Sequence, residues 1–317
     1  MTIKKYFKFV DIKTSILSLY AYALSAAFIF YYLGNWNWLN AIVFFIAELI
    51  QDNMVTGINN VMDYRNAKTE KTRSQNVMAR EKISMTSAVA VIIILLTISV
   101  IAGIWLCFRT NWFLLVAGMV LFGIVCCYTA GPFPIDKMPI GEFFCGIAQG
   151  MGVPFLFAYV NDNYERLITL NFTNIGNDFT FNVHGSLLAL IAIILVCYPS
   201  MMLNSGVMLA NNMSDIENDK LDHRYTLPIV FGTKKAANLY RFYGYSPYLA
   251  IILAVILKMS PIFSLLTLLT FPKVRKNVET FLANPGKGTT FPTSLANYRL
   301  VVGIQALTMF IGALLHF

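Results

Sequence analysis

GSLLALIAIILVCYPSMMLNSGVMLANNMSDIEND, residues 185–219, carries no charged side chain until Asp215. An uncharged apolar run longer than the roughly 20 residues needed to cross a bilayer reads as a transmembrane helix. Its end is polar: Asn211-Asn212-Met213-Ser214-Asp215, then Asp219. The pattern Asn-Asn-x-x-Asp occurs once before, as Asn59-Asn60-Val61-Met62-Asp63, also at the end of an apolar run. Carboxylates are costly beside hydrocarbon, so two such clusters at one depth point to a shared polar site. Asn211, Asp215 and Asp219 are spaced by four and fall on one helix face, where their oxygens can meet a hard divalent cation.

The rest of the chain has the same character. It is 57% hydrophobic and 13% charged over 317 residues, with a mean hydropathy of +0.62, and so exposes more apolar surface than a soluble globule can hide. The expected fold is an all-α integral membrane protein in which the lipid bilayer is a partner. Apolar stretches mark about nine transmembrane helices, at roughly 15–35, 39–62, 84–107, 112–131, 140–160, 185–212, 237–257, 261–272 and 297–316. No soluble domain interrupts them, so 1–317 is read as one domain. The two motifs lie 152 residues (211 minus 59) and four spans apart, on the same membrane face. That favours tandem four-helix units, about 15–131 and 140–272, followed by the last helix at 297–316.

Charge sets the orientation. With the N-terminus inside, 21 of the 24 Lys and Arg residues fall on cytoplasmic segments and only Arg109, Arg166 and Lys258 fall outside. The net charge of +8 is therefore mainly a topology signal and not a nucleic-acid footprint. The expected location is the plasma membrane, multi-pass, with the N-terminus and both motif loops cytoplasmic. The five cysteines form no C-x-x-C pair and are read as apolar packing.

Polar residues trace a cavity between the spans. Asp52, Thr56, Asn59 and Asp63 form one stripe on the second span; Asn204, Met208, Asn211 and Asp215 form another on the sixth; Glu142, Gly146, Gln149 and Gly150 lie on the fifth. Two facing acidic clusters suit a diphosphate held through Mg²⁺, which bridges carboxylates to phosphate oxygens and eases departure of the diphosphate. Lys13, Arg73, Lys220 and Arg224 stand near the acids as a basic clamp.

Residues 211–219, followed by Arg224-Tyr225-Thr226-Leu227-Pro228 and Phe231-Gly232, resemble the second aspartate-rich motif of the UbiA superfamily of intramembrane prenyltransferases. Asn59-x3-Asp63-Tyr64 resembles the first. Tyr128-Thr129-Ala130-Gly131-Pro132, Gly141-Glu142 and Gln149-Gly150 are similar to the branch that prenylates 1,4-dihydroxy-2-naphthoate in menaquinone synthesis, often called MenA. The chain departs from the family in having Ala67 and Thr69 where acids usually follow the first motif, Asp11-Ile12-Lys13-Thr14 in place of an Arg-Pro-x-Thr sequence, and Asn76 in place of an arginine. Glu70, seven residues after Asp63, would regain the same face if the helix continued.

The resemblance implies nine helices around a central cavity, with Mg²⁺ as cofactor and a polyprenyl diphosphate and an aromatic acceptor as partners. It implies Asp63, Asp215 and Asp219 as metal ligands, and Glu70 is the nearest residue that could replace the acids missing after the first motif. Asn59, Asn211, Lys13, Arg73, Lys220 and Arg224 would bind substrate; Asp63 would serve as general base and Tyr128 would orient the ring or diphosphate. The implied reaction is Mg-dependent prenyl transfer to dihydroxynaphthoate with decarboxylation. Alternatives are a superfamily enzyme acting on haem, 4-hydroxybenzoate or a lipid, a polytopic transporter, and a non-catalytic isoprenoid-binding protein.

Overall fold

The computed structural model describes residues 1–11, 16–129, 134–175 and 178–315. Lys13 and residues 130–132 of the Tyr128–Pro132 segment lie outside them. Among the described residues six helices are long and apolar enough to cross a membrane: Trp38–Asn66, Met85–Arg109, Gly141–Leu167, Leu187–Ser214, Thr233–Ile256 and Pro292–Leu314. Two shorter apolar helices, Leu17–Leu33 and Phe113–Tyr128, accompany them.

The expected count of nine is not reproduced among the described residues. The segment read as a span at 261–272 is a 3-10 coil, Ile262–Thr270, that leads straight into the helix Phe271–Ala283. Lys273, Arg275, Lys276 and Glu279 on that helix bar it from hydrocarbon. The all-α expectation also needs correction. Strands Ile168–Ile175 and Asp178–Gly185 pair antiparallel, Phe172 opposite Phe181 and Leu170 opposite Val183, between two spans. Alternating apolar and polar residues suit a strand better than a helix there.

Capping fixes the helix starts. The Asn37 side chain accepts from the Asn40 backbone N–H at 3.1 Å, and the Ser186 hydroxyl accepts from that of Ala189 at 3.2 Å. Small residues fix the packing of Gly141–Leu167 on Leu187–Ser214. A Cβ on Gly146 would lie 2.7 Å from the Met201 carbonyl oxygen, and one on Gly150 only 2.5 Å from Met201 Cα. Such close backbone approach is how membrane helices gain contact without a hydrophobic driving force. The same stretch, Gly146–Gly152, widens into π-type turns, which places Gln149 in the interior.

The bundle has two distinct ends. The ends of Trp38–Asn66 and Leu187–Ser214 meet at one. At the other, Arg109 Nε donates to Asn40 Oδ1 at 2.6 Å and the Arg166 guanidinium donates to the Leu33 carbonyl. The short helix Ile3–Phe9 is tucked against the motif end: Phe9 is fully buried, and the Asn60 side chain donates to its carbonyl at 2.7 Å.

Candidate active site

Both Asn-Asn-x-x-Asp motifs open onto one polar cavity of about 910 Å³. Trp38–Asn66 supplies Asp63 near its end, and Leu187–Ser214 delivers Asp215 at its C-cap. The chain then bends, because Asp215 leaves helical geometry (φ −115°, ψ 12°), and Ile216–Leu221 adds Asn218 and Asp219. Asp215 and Asp219 thus belong to two helices, not one continuous face, yet both line the cavity. Six acids (Asp11, Asp63, Glu81, Asp215, Asp219 and Asp222) face six bases (Lys4, Lys8, Arg80, Lys137, Arg224 and Lys287) around it.

Arg224 ties the acids together. Its Nη2 lies 3.1 Å from Asp136 Oδ2 and its Nε 3.4 Å from Asp219 Oδ1. His223 adopts a left-handed backbone (φ 53°), and the Arg224 N–H donates back to the Asp219 carbonyl at 2.9 Å, so the turn aims the guanidinium at the acid preceding it. Burial pushes the Asp136 carboxyl up to about 6, against the pull of Arg224. Asp219 is also raised by burial, opposed first by Arg224. Asp215 is held by the Lys287 ammonium.

Two further chambers continue inward. Thr56 lines both the polar cavity and a 360 Å³ chamber that also contains Ser18, Asp52, Asn59, Tyr128, Asn204 and Tyr298. Asp52 is anchored there by Ser18 Oγ at 2.8 Å and Gln149 Nε2 at 2.9 Å, both donating. Val125, Ala148 and Gln149 in turn connect this chamber to a 270 Å³ cavity walled mainly by Phe44, Ile104, Leu106, Leu114, Met119 and Phe122. Polarity falls along the series, from a charged mouth to a mainly apolar end where Glu48 and Gln51 are polar exceptions beside Gln149.

The other residues picked out in the sequence are spread around this axis. Asn59 and Tyr128 line the middle chamber. Asn211 is half-buried one turn before Asp215 and lines neither the mouth nor the middle chamber. Its neighbour Asn212 is the buried one, donating to Glu142 Oε1 at 2.9 Å. Lys220 pairs with Glu217 at 3.1 Å and Arg73 sits over the Tyr64 ring at 5.8 Å, both off the cavity lining. The helix continuation assumed for Glu70 does not occur. Trp38–Asn66 stops at Asn66, and Thr69 caps a new helix, Glu70–Gln75, with reciprocal bonds to Thr72. Glu70 is exposed outside the cavity lining.

Asp136, Lys137, Asp222 and Lys287 were missed. Lys287, flanked by glycines in Asn284-Pro285-Gly286-Lys287-Gly288, reads as a plain turn, and only its solitary charge hinted at more. Asp136-Lys137 stands just before Gly141-Glu142, and of the pair only Lys137 enters the sequence reading, as a topology charge.

The donor set fits Mg²⁺. All candidate ligands are hard oxygens, and Asp222 Oδ1 and Asp136 Oδ1 are buried without a hydrogen-bond partner. Among the described residues no three carboxylates, histidines or cysteines converge into a complete metal cage. That suits an ion that takes one or two carboxylates and completes its shell with substrate phosphates and water. Asp63, Asp215 and Asp219 all line the polar cavity.

The cavities thus run from a charged mouth through a mixed chamber to a mainly apolar end. The UbiA prenyltransferase family matches residues 18–274, and the chain belongs to that family. The 1,4-dihydroxy-2-naphthoate octaprenyltransferase of Bacillus subtilis (strain 168) is 27% identical over 187 residues, covering 59% of this chain and 52% of the relative. The chain thus matches about half the length of that curated relative. Three solved structures share the fold. A digeranylgeranylglyceryl phosphate synthase is 18% identical with a TM-score of 0.66, covering 98% of both chains. A UbiA homologue from Archaeoglobus fulgidus bound to DMAPP and Mg²⁺ is 13% identical with a TM-score of 0.62, covering 97% of this chain and 99% of the other. One from Aeropyrum pernix K1, solved without ligand, is 15% identical with a TM-score of 0.66, covering 95% and 98%.

Proposed function

We propose that this protein transfers a polyprenyl group from its diphosphate to 1,4-dihydroxy-2-naphthoate, with loss of the acceptor carboxylate as carbon dioxide, in menaquinone or demethylmenaquinone synthesis. The observation that carries this reading is the convergence of both motifs on one cavity that continues through Thr56 into a chamber holding Asp52 and Tyr128. The naphthoate acceptor rests on the Bacillus subtilis relative and on the Tyr128 and Gly141-Glu142 segments.

In this reading Asp63, Asp215 and Asp219 hold Mg²⁺, which supplies charge neutralisation for the departing diphosphate. Arg224, Lys137 and Lys287 bind the same anion directly. Lys287 exchanges its Asp215 partner for phosphate, and Arg224 keeps Asp219 oriented. The isoprenoid tail extends past the acceptor toward the apolar cavity, whose aromatic and aliphatic walls suit it, while the allylic carbon stays beside the diphosphate at the inner edge of the mouth.

The acceptor ring occupies the middle chamber. Asp52 and Asp63 are eleven residues apart on one helix, about 16 Å of axial rise, enough for a diphosphate and one bicyclic ring end to end. Asp63 is committed to the diphosphate, which leaves proton transfer to Asp52. As the allylic carbon–oxygen bond breaks and the diphosphate departs with its electrons, the ring carbon bearing the carboxylate bonds to the prenyl carbon. Asp52 takes the hydroxyl proton, the carboxylate leaves as CO₂, and the proton returns to the ring oxygen. Such positioned general-base help accounts for roughly 10²–10⁴ in rate. The reading also places the motif end on the cytoplasmic side of the plasma membrane, in line with the distribution of Lys and Arg.

The test is to incubate purified protein in lipid with Mg²⁺, prenyl diphosphates of several lengths and a panel of aromatic acceptors, with the naphthoate carboxylate ¹³C-labelled. The expected result is a prenylated naphthoquinol and ¹³CO₂ in equal amounts. Prenylation of 4-hydroxybenzoate or haem with the naphthoate inert would overturn the acceptor, and solute transport without any prenylation would overturn the reaction.

A further inference from the structure

The antiparallel hairpin Ile168–Gly185 sits at the bundle end opposite the motif cavity and plays no part in the chemistry above. Its register sorts its side chains by polarity. Leu170, Phe172, Phe179, Phe181 and Val183 share one face, and Thr169, Asn171, Thr173, Thr180, Asn182 and His184 share the other. The polar face satisfies itself, with Thr173 and Thr180 hydroxyls 2.9 Å apart. The apolar face is uncovered: Phe179 and Phe181 are each 67% exposed and Val183 55%. A lone two-stranded hairpin is marginal in water unless its apolar face packs on something.

The surroundings say what that something is. Phe108 ends Met85–Arg109, a helix whose most apolar stretch is only 11% buried and which therefore faces lipid along its length. From Phe108 an unbroken aromatic series runs outward: to Trp112 at 6.1 Å between ring centroids, from Trp112 to Phe172 at 6.4 Å, and from Phe172 to Phe179 stacked at 5.2 Å. The hairpin's apolar face is thus a continuation of the lipid-facing surface. Neither strand carries a Lys or Arg; Trp112, which joins the series to the helix, is of the type enriched at membrane interfaces, and Phe and Leu are the apolar residues that interfacial elements bury in lipid.

We infer that the hairpin is an interfacial membrane anchor, with Leu170, Phe172, Phe179, Phe181 and Val183 seated in the lipid headgroup and upper acyl region and the Thr/Asn face in water. The anchor is tied to the wall of the apolar cavity. Asn111, in the turn joining Met85–Arg109 to the Phe113–Tyr128 helix, accepts from the Leu170 N–H at 2.7 Å and donates to Asn171 Oδ1 at 3.0 Å. Both of those helices line the 270 Å³ cavity. Seating the hairpin in lipid therefore fixes the turn that joins two walls of the cavity. The inference does not depend on the acceptor or on the reaction.

The test uses the full chain in phosphatidylcholine vesicles. Single cysteines replacing Phe179, Thr180, Phe181 and Asn182, in a background without the five native cysteines, are labelled with an environment-sensitive fluorophore. Quenching by nitroxide-bearing lipid should be severalfold stronger at 179 and 181 than at 180 and 182, with the order reversed for aqueous iodide. In parallel, the unmodified protein is irradiated in vesicles containing a photoactivatable phosphatidylcholine, and lipid adducts should map to Phe179, Phe181 or Val183. Iodide access to both faces with no lipid adducts would overturn the inference. So would protection that rises with protein density together with cross-links between copies, because a second chain would then be the cover.

Discussion

Arg224→Gln isolates the electrostatics of the cavity. The guanidinium lies between Asp136 and Asp219, whose side chains are only 10% and 9% exposed. Removing one member of a buried ion pair costs on the order of 3–5 kcal/mol. Protonation of Asp136 caps its share of that loss: pH 8 lies about two units above its value of about 6, which at roughly 1.4 kcal/mol per unit is about 3 kcal/mol. The Asp136 carboxyl is already pushed from 3.8 to about 6, so holding it ionised costs about 3 kcal/mol even with Arg224 in place. A carboxyl raised on folding contributes stability that is complete below its unfolded value and is lost as pH climbs through the folded one. For the wild type that window runs from about 3.8 to about 6; without Arg224 it extends higher. The gap in thermal stability between wild type and variant should therefore be small at pH 5, where Asp136 is protonated in both, and widen by pH 8. Tryptophan-monitored unfolding in detergent with a chelator present measures it, and adding Asp136→Asn should shrink the pH 8 gap. An equal gap at both pH values, or no loss at pH 8, would refute the argument.

Three other outcomes follow from the same geometry. Asp52→Asn should leave prenyl diphosphate affinity unchanged while lowering turnover by roughly 10²-fold or more; a variant that loses diphosphate affinity instead would place Asp52 in the wrong compartment. Gly150→Val should lower stability by several kcal/mol, because its Cβ would sit 2.5 Å from the Met201 backbone and neither helix can yield; an unchanged melting temperature would contradict the close packing. Glu70→Gln should leave the Mg²⁺ requirement of prenyl transfer untouched, since that residue heads a separate helix off the cavity, and a raised requirement would return it to the metal site.

The sequence makes the environment, the six long spans and the pairing of the motifs plain, because each rests on something a linear pattern carries: hydropathy, charge bias and repeated spacing. It also marks the stripe Asp52, Thr56, Asn59 and Asp63, and those residues line the mouth and middle chamber. What it cannot carry is where a helix stops. Both periodicity arguments that extended a helix past its end failed locally: Asp63 to Glu70 crosses the break at Ala67, and Asp215 to Asp219 crosses a bend. Lys287 and Asp136 reach the cavity from loops distant in sequence, and no local pattern announces such a meeting. Among the basic residues named beside a motif, Arg224 lines the cavity and Arg73 and Lys220 do not. The strands at 168–185 are legible in the alternation of Leu170, Phe172, Phe179, Phe181 and Val183 with Thr and Asn, but that signal is short beside the hydropathy of the spans around it.

The central claim is that the two motifs form one Mg-dependent diphosphate site. Calorimetric titration of a prenyl diphosphate into the protein in lipid, with and without Mg²⁺, tests it on the wild type, Asp63→Asn and Asp215→Asn. The account predicts metal-dependent binding to the wild type that is lost in each variant separately, although the two aspartates are 152 residues apart (215 minus 63). Binding that is indifferent to Mg²⁺, or that survives intact in either variant, would contradict it.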